Sequence, residues 1–226
     1  MRVTEVFYSL QGEGTRVGVP SVFVRLAGCS LRCRWCDTAY AWDYWAGEEL
    51  DPGQIAERVG QWSCGSVVLT GGEPMMGPDG APRGGFADLT ARLRALGKHV
   101  TIETAGVLFM PDLCCDLLSI SPKLGNSASS SRQGTACDPA VLARLIAAYS
   151  YQFKFVIESA QDLGEVRGLL ERLPSVDSER VLLMPQARTR EELLARGPMV
   201  AELCRQTGFR FCDRLHVFLW GNERGR

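Results

Sequence analysis

The sequence predicts an α/β protein built on a parallel sheet. Three observations carry the prediction: six short β-rich apolar segments lack polar alternation, amphipathic stretches of helical period lie between them, and the alternation runs along most of the chain. A strand with one wet face alternates apolar and polar residues; these do not, so both faces are expected to be covered. Six such strands can make an open doubly wound sheet or an incomplete barrel, and periodicity does not choose between them.

The first strand is SVFVRLAG (21–28), which runs straight into a cysteine-rich loop. SVVLTGGEP (66–74), KHVTIETAG (98–106), DLLSISPK (116–123), YQFKFVIE (151–158) and ERVLLMPQ (179–186) follow as the other five. The intervening helices are GFADLTARLRALG (85–97), DPAVLARLIAAYS (138–150), QDLGEVRGLLERL (161–173) and TREELLARGPMVAELCRQTG (189–208). Asp138 before Pro139 is a strong helix start, a capping side chain followed by proline at the first helical position. Gly97 and Gly208 suit helix ends. GPDGAPRGG (77–85) is a Gly/Pro insertion, and NSASSSRQGT (126–135) is a polar low-complexity loop expected to be mobile or to order on ligand binding. HVFLW (216–220) reads as a terminal strand able to cover an open side. The alternation crosses both loops, so one domain over 1–226 is expected.

The 226 residues are 46% hydrophobic and 23% charged with a net charge of -1, which is globular and argues against an electrostatic nucleic-acid binder. No apolar run approaches the roughly 18 residues of a membrane span. The start, MRVTEVFYSLQGEG, reads as neither a secretory signal nor a transit peptide. A cytoplasmic protein is expected.

Nine cysteines are many for a chain of this kind. Their odd number argues against a disulfide framework, and clustered thiols in a reducing compartment point to metal or redox chemistry. Cys29, Cys33 and Cys36 stand in the spacing C-x3-C-x2-C; Cys64, Cys114, Cys115, Cys137, Cys204 and Cys212 are scattered and read as core fillers. Three thiolates on a compact loop with no obvious fourth ligand suit an iron–sulfur cube with one open iron. A zinc site completed by Cys64, Asp37 or one of the two histidines, His99 and His216, stays open at this point. Lysine use is a further clue: only Lys98, Lys123 and Lys154 stand among 25 basic residues, and two of them lie in or just after expected strands.

The cysteine spacing with Trp35 before the last cysteine, following a first strand, resembles the signature of the radical S-adenosylmethionine (SAM) superfamily. Gly71-Gly72-Glu73-Pro74, ending the second strand, matches its GGEP segment. Glu103 and Gly106 match a further strand end, where Ala105 replaces the asparagine common in relatives. The resemblance implies a 4Fe–4S cluster on Cys29, Cys33 and Cys36, SAM chelating the open iron, and a 5′-deoxyadenosyl radical that abstracts hydrogen from substrate. It also implies a partial (β/α)6 barrel with reduced helices and its site at the strands' C-terminal ends.

Ser9-Leu10-Gln11-Gly12-Glu13-Gly14, Arg25, Cys36-Asp37-Thr38 and the ending RLHVFLWGNERGR together resemble the 7-carboxy-7-deazaguanine synthases, essentially end to end. That resemblance implies a carbon–nitrogen lyase that contracts 6-carboxy-5,6,7,8-tetrahydropterin to 7-carboxy-7-deazaguanine and releases ammonia, in queuosine and other deazapurine biosynthesis. It assigns Leu10, Gln11, Gly12, Glu13, Arg25, Thr70 and His216 to the substrate. Trp35, Cys36, Asp37, Gly71, Gly72, Glu73, Glu103, Ser121, Pro122, Lys123, Met184, Pro185 and Gln186 fall to SAM. It makes Thr38 a magnesium ligand, although a threonine here could instead cap the following helix. It further implies a single radical SAM domain with the cluster loop at 29–36 and a C-terminal cover at 209–226. A one-electron donor such as flavodoxin or ferredoxin and a homodimer are implied as well. A glycyl-radical activating enzyme shares the cysteine spacing and GGEP but does not account for QGEG, Arg25 and CDT together; a zinc-binding adaptor is the non-enzymatic alternative.

Overall fold

Strand β1 (Arg2–Leu10) opens the fold in the computed structural model, which describes residues 1–128, 137–221 and 223–226. It pairs antiparallel with β2 (Pro20–Leu26) and with a two-residue β3 (Glu48–Glu49). Then β4 (Ser66–Gly71), β5 (His99–Thr104), β6 (Leu117–Ile120), β7 (Tyr151–Ile157), β8 (Val181–Pro185) and the short β9 (Arg210–Phe211) extend β2 in parallel, each beside its predecessor. The sheet ends on β3 at one side and β9 at the other and is not closed. The six strands expected from apolar runs are β2 and β4 to β8, consecutive and parallel, in a partial barrel.

Helices α1 (Pro52–Gly60), α2 (Phe86–Ala95), α3 (Pro139–Ala148), α4 (Asp162–Leu170) and α5 (Arg190–Thr207) cross between strands, and among the described residues none links β5 to β6. The end signals act as expected. Asp138 accepts the Ala140 backbone N–H at 2.8 Å with Pro139 at the first turn of α3, and Gly208 closes α5 at φ 75°. The unanticipated α1 has a full capping box, Asp51 with Gln54, and proline at its start. Leu89 and Leu93 of α2, Val67 and Leu69 of β4 and Ile102 of β5 belong to one core, where each fully buried side chain is worth about 1.5–3 kcal/mol.

Two expectations need correction, and a third falls largely outside the described residues. HVFLW is not a strand: Leu215–Trp220 is a helix, α6, in which the Phe218 amide donates to the Arg214 carbonyl at 3.0 Å. Only Val217 of this run is buried, against Ala187 and Leu193, so its β-prone side chains had no second sheet face to fill. Cys114 is exposed and is no core filler, whereas Cys204 and Cys212 are buried. Of the polar loop 126–135, residues 129–135 lie outside the described residues, and Gly125–Ser127 forms a 3-10 turn.

Candidate active site

The C-terminal ends of β2 and β4 to β8 carry nearly all the singled-out motifs, where parallel α/β folds place their ligands. They surround a cavity of about 420 Å³, within the range of small-molecule sites. Leu10, Gln11, Gly12, Glu13, Arg25, Thr70 and His216 line it, as do Cys29, Cys33, Trp35, Cys36, Asp37 and Thr38. So do Gly71, Gly72, Glu103, Ser121, Lys123, Met184 and Gln186. Glu73, Pro122 and Pro185 do not line it.

The cluster loop and the GGEP segment are stitched backbone to backbone. The Gly72 amide donates to Leu26 O at 3.0 Å and the Glu73 amide to Gly28 O at 2.8 Å. A Cβ on Gly72 would stand 2.3 Å from Gly28 O and 2.7 Å from the Cys29 Cβ, so only glycine admits this approach. Glu73 is fully enclosed: it accepts from the Thr104 hydroxyl at 2.6 Å and from the Ala105 and Met75 amides at 2.8 and 3.3 Å. It therefore braces the end of β5 rather than facing the cavity.

Among the described residues, no three His, Cys, Asp or Glu side chains converge closely enough to hold one metal ion. A cube offers a separate iron to each thiolate, so its cysteines stand wider apart than the donors of a single zinc; Cys29, Cys33 and Cys36, on one loop at one cavity wall, suit that donor set. Burial pushes the Cys29 thiol up to about 11 and raises that of Cys36. Thr38 does not cap the 3-10 turn that follows it; its hydroxyl donates to Asp37 Oδ1 at 2.5 Å, leaving oxygen lone pairs available to a hard cation. That overturns the capping alternative.

In the QGEG segment, Gln11 donates to Glu103 Oε1 at 3.1 Å and accepts the Glu13 amide at 3.1 Å. Glu13 takes the Lys154 ammonium on one oxygen and Arg214 Nε on the other, at 3.0 Å. Burial works against its ionisation, but the Lys154 and Arg214 charges outweigh it and hold the carboxyl well below the usual range. His216 packs on Gly12, where a Cβ would lie 2.0 Å from Nδ1. Burial lowers this imidazole below its ordinary value, so it is neutral near pH 7. Arg25 donates to Glu5 Oε1 at 2.6 Å, and Glu5 also accepts from Tyr40 at 2.6 Å and Arg224 at 3.0 Å. Lys123 lies over the Trp35 ring at 5.6 Å and donates to Ser121 at 2.8 Å.

Several partners escaped the sequence reading. Arg188 donates to the carbonyls of Arg34, Trp35 and Cys36, at 3.2, 3.3 and 3.0 Å. Buried Arg83, from the Gly/Pro insertion, donates to Pro74, Ala27, Glu73 and Met76 carbonyls at 2.7 to 3.2 Å. Arg214 and Glu5 were also unassigned. The only signal on offer was the chain's preference for arginine over lysine, since a planar fork can serve several carbonyls at once.

Residues 23–167 match the model of the radical SAM superfamily. The 7-carboxy-7-deazaguanine synthase of Pyrobaculum aerophilum is 39% identical, over 100% of this chain and 97% of its own. That of Halobacterium salinarum is 38% identical, over 97% and 90%. The crystal structure of QueE from Escherichia coli superposes with a TM-score of 0.71 at 24% identity, covering 95% of this chain and 94% of that one. Streptococcus suis SuiB bound to SAM gives 0.55 at 13% identity, over 88% and 53%. With its cysteine loop, its GGEP seam and the QGEG segment around one cavity, the chain belongs to the radical SAM superfamily and, within it, to the 7-carboxy-7-deazaguanine synthases, enzymes of deazapurine biosynthesis.

Proposed function

We propose that the chain converts 6-carboxy-5,6,7,8-tetrahydropterin to 7-carboxy-7-deazaguanine with release of ammonia, at the cavity between the cluster loop and the QGEG segment. The observation that carries the reading is the meeting of Cys29, Cys33 and Cys36 with Gln11, Glu13 and Arg25 around one cavity. Bound there, the 4Fe–4S cluster and SAM supply an electron and hydrogen abstraction. Gly72, Ser121, Lys123, Met184 and Gln186 flank SAM, with Trp35 and Asp37 on the adenine side. Glu73, with Pro122 and Pro185, shapes the strand ends behind that surface.

Glu13, held ionised, can only accept hydrogen bonds, which suits the donor-rich guanidine-like edge of a pterin. Arg25, steadied by Glu5, presents a planar fork to the pterin carboxylate. Thr38 would lend one oxygen to Mg2+, a hard cation suited to oxygen donors, beside the substrate carboxylate. Neutral His216 and Thr70 complete the substrate wall. Residues 209–226, several of which line the cavity, serve as its cover within a single domain. A flavodoxin- or ferredoxin-type donor, a homodimer and a cytoplasmic location complete the proposal; no helix among the described residues is long and apolar enough to cross a membrane.

The test is an anaerobic incubation of cluster-loaded protein with SAM, reductant, Mg2+ and the pterin, read by mass spectrometry. Formation of 7-carboxy-7-deazaguanine is expected. Accumulation of 5′-deoxyadenosine without it would mean that the substrate assignment is wrong.

A further inference from the structure

Arg214 joins Glu13 of the QGEG segment directly to Asp37 at the end of the cluster loop. It is 8% exposed, and each of its three guanidinium nitrogens has a partner. Nε donates to Glu13 Oε1 at 3.0 Å, Nη1 to the Ala187 carbonyl and Nη2 to Asp37 Oδ2, with His216 Nε2 3.4 Å from Nη2. Those partners come from the segment after β1, the end of the cluster loop, the loop after β8 and the start of α6. Each carboxylate has its second oxygen fixed elsewhere: Glu13 by Lys154, Asp37 by the Thr38 hydroxyl. A guanidinium is rigid and planar, so its donors move as one body. A shift of Asp37 toward or away from bound SAM moves the nitrogen that sets Glu13, and the reverse holds equally.

We infer that Arg214 is a positioning residue that makes the binding of SAM and the binding of the pterin mutually dependent. The inference rests on the proposed function in one respect, that Glu13 faces the pterin while Asp37 lies on the SAM side. Neither ligand need touch Arg214. Lys154 is the natural contrast, because it grips Glu13 and faces Glu103 at 3.6 Å, a carboxylate that Gln11 ties to the pterin side. Losing Lys154 therefore disturbs Glu13 and Glu103 but leaves the Arg214–Asp37 pair in place. Losing Arg214 cuts the connection.

The experiment measures, in cluster-loaded protein under anaerobic conditions, the Kd of SAM with and without the pterin and the Kd of the pterin with and without SAM. Binding linkage is reciprocal, so the two ratios must agree; about tenfold is expected for the natural protein. In Arg214→Gln the ratio should fall to within about twofold of unity. Arg214→Lys covers the case in which glutamine destabilises the site. An ammonium can reach one carboxylate but cannot span both in a fixed plane, so pterin affinity should partly return while the linkage does not. Lys154→Met should weaken the pterin and keep the linkage. A role in folding alone would lower both affinities and leave their ratio unchanged. Linkage absent from the natural protein, or retained in both Arg214 variants, would overturn the inference. Failure of the natural protein to bind the pterin at all, with SAM still bound, would instead sink the proposed substrate on which it rests.

Discussion

Replacing Gly72 by alanine tests how closely the GGEP segment must approach the cluster loop. The new Cβ would stand 2.3 Å from Gly28 O and 2.7 Å from the Cys29 Cβ, against the 3.4 Å at which ordinary contact begins. Neither neighbour is a flexible side-chain tip, so the two backbones have to part. Parting strains the bonds from Gly72 to Leu26 O and from Glu73 to Gly28 O, both at or below 3.0 Å now. Overpacking of this kind costs about 1–3 kcal/mol, or a fall in Tm of about 2–12 °C for a chain of this size. The displacement also carries Cys29 away from the cavity wall that Gly72 shares. Gly72→Ala should therefore bind SAM more weakly than the natural protein even at temperatures where it is fully folded. Thermal unfolding of the cluster-free protein and SAM titration of the cluster-loaded one read the two effects. Unchanged Tm together with unchanged SAM affinity would refute the close approach.

Four further outcomes are expected, at three positions. Cys33→Ala should retain its far-ultraviolet circular dichroism but take up little iron and sulfide on reconstitution; full iron content would remove Cys33 from the ligand set. Thr38→Ala should bind SAM nearly as well as the natural protein but lose most of its stimulation by Mg2+, and an unchanged Mg2+ response would return Thr38 to a structural role. Glu13→Gln should weaken the pterin by tenfold or more in KM, since its partners favour the ionised form. Because the folded-state pKa of Glu13 lies below its ordinary 4.5, its contribution to stability is complete above that value and is lost as pH falls from there. The Tm gap between natural and Glu13→Gln protein should thus be widest above about pH 5 and narrow toward pH 3; a gap independent of pH would mean that Glu13 is not held ionised by its partners.

How much was legible from the residues follows from their physics. The strands β2 and β4 to β8 could be read because burial on both faces forces continuous apolar runs, while their sequential order in a partial barrel came only from the family resemblance. β1 was missed: Thr4, Glu5 and Tyr8 interrupt its apolar residues, and most of it is only half-buried. α6 was misread because its aromatic and β-branched composition suits a strand, while the backbone bonds that decide its helix are local and invisible in composition. Cluster cysteines and the glycines of GGEP were legible because their chemistry demands short, fixed spacings. Arg214 and Glu13 are 201 positions apart, and Arg188 lies 152 from Cys36, so no spacing announces them. Arg25 was assigned to the substrate, and the carboxylate it meets within the chain is Glu5, supplied by the strand that the residues did not announce.

The most direct measurement follows product, ammonia and 5′-deoxyadenosine together in one anaerobic reaction with limiting SAM. If the cavity returns hydrogen to its cofactor after each ring contraction, 7-carboxy-7-deazaguanine and ammonia should form in equal amounts and exceed the SAM supplied, with little 5′-deoxyadenosine. One 5′-deoxyadenosine per SAM, with no deazaguanine and no ammonia, would contradict the assigned reaction while leaving the cluster loop intact.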